Sequence, residues 1–288
     1  MTKFTIGCDP EIFLIDGDNK PLSAHGLIPG TKAAPHPIPC GAIQVDGIAA
    51  EFNTTPVALE DFDSFNENIV RVVQTLSKTV KESKPDAKFS IAPTLHFDNE
   101  FLEALPEEAK ELGCDPDYNA YTLEPNPRPD GDRMFRTGAG HIHIGWGVGI
   151  PVDNEEHMKI CADFVKMLDL WVGFGMTFID RNPERRELYG KAGAFRPKPY
   201  GVEYRTPSNV WIRTKSFRRL IHTLVNKAVT NMRSGYTSSS FGYTDKDIQD
   251  VINNGNHMIA KRFLDNNLSS MSWAAVSGLT AEQLGALK

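Results

Sequence analysis

The chain has 288 residues, of which 40% are hydrophobic, 24% charged and 9% aromatic, and its 31 basic and 37 acidic side chains leave a formal charge of −6. This composition excludes a largely disordered chain, and the negative balance argues against nucleic-acid binding through bulk charge, leaving only a local basic groove. The length suits one large domain or two small ones and supplies a core without disulfides or structural metal.

Residues 4–15 read as a strand in which Ile6, Cys8, Pro10, Ile12 and Leu14 alternate onto one face. A proline inside it predicts an edge position or a bulge. Residues 17–41 read as loop, punctuated by Pro and Gly. Two strands follow in AIQVDGIAAEFNTTP, with hairpin turn chemistry at Asp46-Gly47. An amphipathic helix over residues 60–84 sets Phe65, Ile69, Val72, Val73, Leu76 and Val80 at helical spacing and stops at Pro85-Asp86. Residues 88–96 return as a strand, and a short helix follows over 100–112. Residues 113–136 have little periodicity, but Tyr118, Tyr121 and Phe135 mark them as an ordered covering loop. The next elements are a strand over 141–146 and a long buried helix over 154–179. A basic, glycine-rich segment then becomes a strand at 201–206, and helices over 215–231, 245–253 and 257–266 complete the chain. With no repeat and no composition shift, residues 1–288 are expected to form a single catalytic domain, its motif-bearing core over about 4–211 and a helical part over 212–288.

Cys8, Cys40, Cys114 and Cys161 form no CxxC pair and match no zinc template, which suits a reducing compartment. Acidic residues appear before any signal-type apolar stretch develops. The most apolar later segment, 164–179, is broken by Lys166 and Asp169 and is too short to span a bilayer. A cytoplasmic protein without a membrane partner is expected.

Side chains two apart on a strand point the same way. Asp9 and Glu11 therefore share a face, as do Glu51 and Asn53, His141 and His143, and Glu203 and Arg205, each pair with apolar residues behind it. A lone DxE or HxH strand is ordinarily a solvated edge or a core pair; four such strands together point to a site. Carboxylates with imidazoles bind divalent cations, and because the acids Asp9, Glu11, Glu51 and Glu203 outnumber His141 and His143, Mg²⁺ or Mn²⁺ is favoured over Zn²⁺. Arg185, Arg186, Lys191, Arg196, Lys198 and Arg205 cluster nearby, and guanidinium groups suit phosphate oxygens. Acids for metal beside bases for phosphate describe a nucleoside triphosphate site, yet there is no GxxxxGK[ST] loop, GxGxxG or kinase motif set. Asp46, Gln44 and Lys32 are read as turn, strand face and loop.

GCDPEIFLID resembles the first metal-binding strand of glutamine synthetases, GAGHIHIG their Gly-x-Gly-x-His-x-His strand, and GVEYRTPSN their Glu-x-Arg strand. With VDGIAAEFNTTP, GCDPDYNA and LYGKAGAFRPKPYGVEYRTPSNVW, the run from Gly7 to Trp211 resembles the phage-encoded carboxylate–amine ligase (amidoligase) family of the glutamine synthetase and glutamate–cysteine ligase superfamily. The resemblance implies an α+β fold, a curved antiparallel sheet forming a funnel with helices on its outer face. It also implies ATP, Mg²⁺ or Mn²⁺, and amide-bond formation through an acyl phosphate. By motif, Glu11 resembles a ligand of the metal near the substrate carboxylate. Asp9, His141 and Glu203 resemble ligands of the metal that bridges the ATP phosphates, and Glu51 a further metal carboxylate. Arg205 resembles the arginine acting on the transferring phosphoryl group, and Glu51 and Arg196 join it in the expected catalytic set. His143, Arg185, Arg186, Lys191 and Lys198 are expected against the nucleotide. The implied partners are small-molecule or peptide carboxylates and amines, and the sequence is compatible with a homo-oligomer. Two rival readings remain: a metal-dependent hydrolase working without ATP, and a non-catalytic phage protein retaining the fold.

Overall fold

The computed structural model describes residues 3–110, 117–127 and 133–268. Strands split between an apolar and a polar side need helices with one apolar face to cover the former, and the chain supplies both. In order they are β1 (Thr5–Ile15), β2 (Pro21–Leu22), β3 (His36–Ile38), β4 (Gly41–Asp46), β5 (Ala49–Thr54), β6 (Val57–Ala58), α1 (Phe62–Ser83), β7 (Lys88–Ser90) and β8 (Thr94–His96). Then come α2 (Asn99–Ala104), α3 (Glu107–Lys110), β9 (Tyr118–Asn119), β10 (Phe135–Thr137), β11 (Gly140–Gly145) and α4 (Glu155–Leu168). A π-turn at Asp169–Gly173 leads into α5 (Phe174–Ile179), α6 (Arg185–Leu188), β12 (Ala194–Lys198), β13 (Gly201–Tyr204), α7 (Lys215–Arg233), α8 (Asp245–Asn253) and α9 (His257–Asn267). The fold is α+β, with a large antiparallel sheet ordered β3-β4-β5-β1-β11-β13-β12-β9; β2, β6 and β7 also pair with β1.

β1 organises this sheet, and it is central rather than the edge strand that Pro10 suggests. It pairs with β11 over Thr5–Pro10, with β5 at Glu11 and Ile12, and with β7 from Phe13 to Ile15. Successive strand N–H groups point to opposite neighbours. The Glu11 N–H donates to Ala139 on the β11 side, and the Cys8 N–H donates to the Thr54 hydroxyl on the other. Pro10 thus lacks its donor on the β5 side, where pairing begins only at Glu11, and no ladder bond is lost.

The apolar side of β1 contributes Ile6, Cys8, Ile12 and Leu14 to the core, and α1 lays Phe65, Ile69, Val72, Leu76 and Val80 on it. Asp61 caps α1 by accepting from the Ser64 N–H at 3.0 Å. Full burial of each such side chain contributes about 1.5–3 kcal/mol. The C-terminal helices join the same cluster, with Phe263 of α9 edge-on to Trp171 and Phe174 at 5.0 and 5.5 Å between ring centres.

Several elements differ from expectation. Residues 88–96 form two strands parted before Thr94, and 100–112 is broken at Leu105-Pro106 because proline supplies no N–H. The loop over 17–41 contains β2 and β3, and β12 was not expected because its basic and proline content masks Phe195 as a core residue. Cys8, Cys40 and Cys161 are free thiols; Cys114 lies outside the described residues. Among the described residues no helix is long and apolar enough to cross a membrane.

Candidate active site

The polar side of the sheet is assembled by register. Asp9 lies opposite His141 and Gly7 opposite His143 across β1 and β11, while His143 and Arg196 each lie opposite Glu203 of β13. His143 Nε2 is 3.0 Å from Asp9 Oδ2, and His141 Nδ1 is 3.3 Å from Asp9 Oδ1 and 3.4 Å from Glu203 Oε1. Asp9, His143 and Glu203 each offer a metal-ligand atom within 4.8 Å of the others. Each also keeps a buried polar atom with no hydrogen-bond partner among the described residues: Asp9 Oδ1, His143 Nε2 and Glu203 Oε2. Buried polar atoms are usually paired, and three such atoms of ligand type converging within 4.8 Å fit a divalent cation. The resemblance pairs His141 with the metal and His143 with the nucleotide; in the structure His143 is the imidazole that completes this group.

Cations surround the same carboxylate. Arg205 donates to Glu203 Oε1, Lys198 Nζ is 2.7 Å from Oε2 in an ion pair without hydrogen-bond geometry, and Arg196 is 3.5 Å from Oε1. Arg205 also donates from Nε to Asp117 at 3.1 Å and lies 3.4 Å from His141 Nδ1. Burial opposes charge on Asp9, Glu203, His141 and His143. For Asp9, His143 and His141 overcome burial and hold the carboxyl well below its usual range; for Glu203, Arg205 does most to overcome it. Burial and Arg205 together push His141 down to about 4, whereas Asp9 outweighs burial at His143 and raises it.

A second acidic group adjoins the first. Glu11 faces Glu51 across β1 and β5, and Gln44 donates to Glu51 Oε2 at 2.7 Å. Glu11 Oε2 accepts from the Ala139 N–H at 2.9 Å. Burial, with Asp46 behind it, pushes Glu11 up to about 7. Burial and the charges of Asp9, Asp46 and Glu11 raise Glu51 well above the ordinary carboxyl value. A cleft open to solvent brings Glu11, Asp46, Asp117, His141, Arg185 and Arg205 onto one space.

The basic segment divides. Arg196, Lys198 and Arg205 reach the acidic group, and the Lys191 side chain is exposed. Arg185 borders the cleft, but its terminal nitrogens donate to the carbonyls of Thr206, Pro207 and Arg205 at 2.8, 3.1 and 3.4 Å, bracing the end of β13. Arg186 donates to the carbonyls of Asn182 and Asp180 at 3.2 Å and lies beside Gly255, so the structure does not bring it to the group. A basic run reveals charge but not direction, and these neighbours on a short helix point apart.

Sequence reasoning missed four contributors. Gln44 and Asp46 were legible in principle, because the hairpin at Asp46-Gly47 counts back to place Gln44 opposite Glu51. Tyr200, whose hydroxyl bonds His143 Nδ1, sits in the turn before the Glu-x-Arg strand, where nothing in its type or spacing singles it out. Asp117 meets Arg205 across 88 residues of chain, and nothing local announces that pairing.

The family model for phage phiEco32-like COOH.NH2 ligase-type 2 matches residues 133–283. That span includes β11 to β13 and also the C-terminal helices, where the sequence shows no motif, but stops short of Asp9, Glu11 and Glu51. No match is found among curated proteins. Among solved structures, "Apo GmaS without ligand" is similar over 99% of this chain and 66% of its own, with 10% identity and a TM-score of 0.46. The Plasmodium falciparum glutamine synthetase is similar over 99% of this chain and 70% of its own, with 9% identity and a TM-score of 0.46. A bifunctional glutathione synthetase from Pasteurella multocida is similar over 99% and 50%, with 12% identity and a TM-score of 0.41. The chain spans just under two thirds of the GmaS chain.

Proposed function

Since the chain belongs to the phage phiEco32-like COOH.NH2 ligase-type 2 family, we propose that it joins a carboxylate to an amine through an ATP-derived acyl phosphate. The observation that carries this reading is the convergence of ligand atoms from Asp9, His143 and Glu203, within 4.8 Å of one another, directly beside Arg196, Lys198 and Arg205. A place for a cation adjoins a place for phosphate.

In this reading Asp9, His143 and Glu203, with His141 alongside, hold Mg²⁺ or Mn²⁺, the ions that an oxygen-rich set prefers. Such an ion, when bound, offsets phosphate charge. Glu11 and Glu51 are the carboxylates for a second cation near the substrate, whose charge would relieve their mutual repulsion. Arg196 and Lys198 bind nucleotide phosphates, and Arg205 meets charge that develops during transfer. A carboxylate is a poor electrophile. Its oxygen attacks the γ-phosphorus and the bond to ADP breaks; the amine nitrogen then attacks the acyl carbon, gives up a proton to a base, and phosphate leaves. Arg185 keeps the end of β13 in place. The whole chain is taken as one catalytic domain acting on small-molecule or peptide substrates.

The test is a screen of carboxylate and amine pairs with ATP and Mg²⁺, reading ADP release together with product mass. The expected result is ADP formed in step with a condensed product. Metal-dependent hydrolysis that proceeds without ATP would assign the chain to the hydrolases instead, and nucleotide binding without turnover of any pair would leave it a binding protein.

A further inference from the structure

We propose that Tyr200 is a positioning residue for metal binding: its hydroxyl accepts the Nδ1 proton of His143 and so leaves Nε2 as the atom offered to the cation. The inference rests on the metal reading of the Asp9, His143 and Glu203 group given above. A neutral imidazole carries one ring proton, and the nitrogen that ligates must be the other one. Histidines that bind metal usually give their remaining N–H to a fixed acceptor, which sets both tautomer and ring orientation.

The structure supplies such an acceptor. His143 Nδ1 is hydrogen-bonded to the Tyr200 hydroxyl. At the other end of the ring Nε2 lies 3.0 Å from Asp9 Oδ2, an ion pair outside strict hydrogen-bond geometry. A cation bound there takes the place of a proton on Nε2, provided that the ring keeps its other proton on Nδ1.

Tyr200 is held firmly in place. It is the second residue of the two-residue turn joining β12 to β13, closed by the pairing of Lys198 with Gly201. Its carbonyl accepts from the N–H groups of Trp146 and Gly147 at 2.8 and 3.1 Å, at the end of the strand that carries His143. The next residue must be glycine, because a Cβ at Gly201 would stand 2.1 Å from the Ile144 carbonyl oxygen. The hydroxyl therefore stays against the ring edge, with ring centres 6.0 Å apart. The opposite arrangement, Tyr200 donating to Nδ1, would put the ring proton on Nε2 and mask it. The two arrangements exclude each other.

The test uses the full chain without nucleotide, titrated with Mn²⁺ and followed by the EPR signal of the free ion. Tyr200→Phe keeps the ring and removes the hydroxyl; its Mn²⁺ affinity is expected to fall about 10–100-fold, with the melting temperature of the metal-free protein unchanged. Long-range ¹H–¹⁵N spectra of the Mg²⁺-loaded parent are expected to show the His143 proton on Nδ1. A parent that binds no Mn²⁺ would overturn the metal reading itself. A parent that binds, with Tyr200→Phe binding equally well, would overturn the role of Tyr200 alone, and so would a proton found on Nε2. Should Tyr200→Phe fail to fold, the parent spectrum decides.

Discussion

Arg205 meets three groups with one guanidinium: Asp117 through Nε, Glu203 through Nη1, and His141 beside that same nitrogen. A lysine would keep the charge but not the planar fork that faces several oxygens at once. If Arg205 acts chiefly on charge developing during phosphoryl transfer, Arg205→Lys should lower kcat about 10²–10³-fold and raise the KM for ATP much less. Steady-state kinetics on an identified substrate pair check this, and an unchanged kcat would remove Arg205 from the catalytic set. The spacing of Glu203 and Arg205 on one strand made their shared face readable. Asp117 was not readable as their neighbour, because its approach depends on a segment that joins the sheet from elsewhere.

The long helix of α4 and α5 shows how one element reaches the site from behind. Its π-turn places the fully buried Asp169 where it accepts from Tyr204 at 2.6 Å, Gly193 N–H at 2.6 Å, Tyr121 at 2.9 Å and Thr206 at 3.2 Å. Three segments, those holding Tyr121, Gly193 and β13, are thereby tied to one carboxylate. Burial pushes Asp169 up to about 7 against the pull of these donors. Below about pH 4 the carboxyl is protonated whether folded or unfolded, and its contribution to stability is complete. Between about pH 4 and 7 the unfolded chain gives up the proton while the folded chain keeps it, so stability falls as pH rises and levels off above. Urea unfolding at about pH 5 and pH 8 should show the parent losing roughly 1–3 kcal/mol more than Asp169→Asn; equal losses would mean that Asp169 does not titrate in this way. In the sequence Asp169 registers only as a charge that interrupts an apolar helix, since its donors lie 24 to 48 residues away.

At the scale of the molecule, a cation on Asp9, His143 and Glu203 would tie β1, β11 and β13, three adjacent strands at the centre of the sheet. A ligand that binds only the folded state stabilises it by about 2.7 kcal/mol at a hundredfold excess over Kd. Mg²⁺ or Mn²⁺ should therefore raise Tm by several degrees relative to excess EDTA, and Zn²⁺ should do so less well. Identical melting curves with and without saturating Mn²⁺ would contradict the assignment. The family match over 133–283 covers two of these three strands, and β1 completes the set from the other end of the chain.

Which side chains share a face was determined by the sequence alone: Asp9 with Glu11, His141 with His143, and Glu203 with Arg205 follow from the two-residue period of a strand, which is local geometry. The helices of the C-terminal part were equally legible from their apolar periodicity, and 245–253 matches α8. Tertiary structure alone decided that β1 is the hub, that β12 exists, that Arg185 and Arg186 brace backbone, and that His143 lies with Asp9 and Glu203 beside Tyr200. The physical reason is register. The period of a strand is written within a few residues, but its alignment with a partner far along the chain is chosen by how all the apolar faces pack at once.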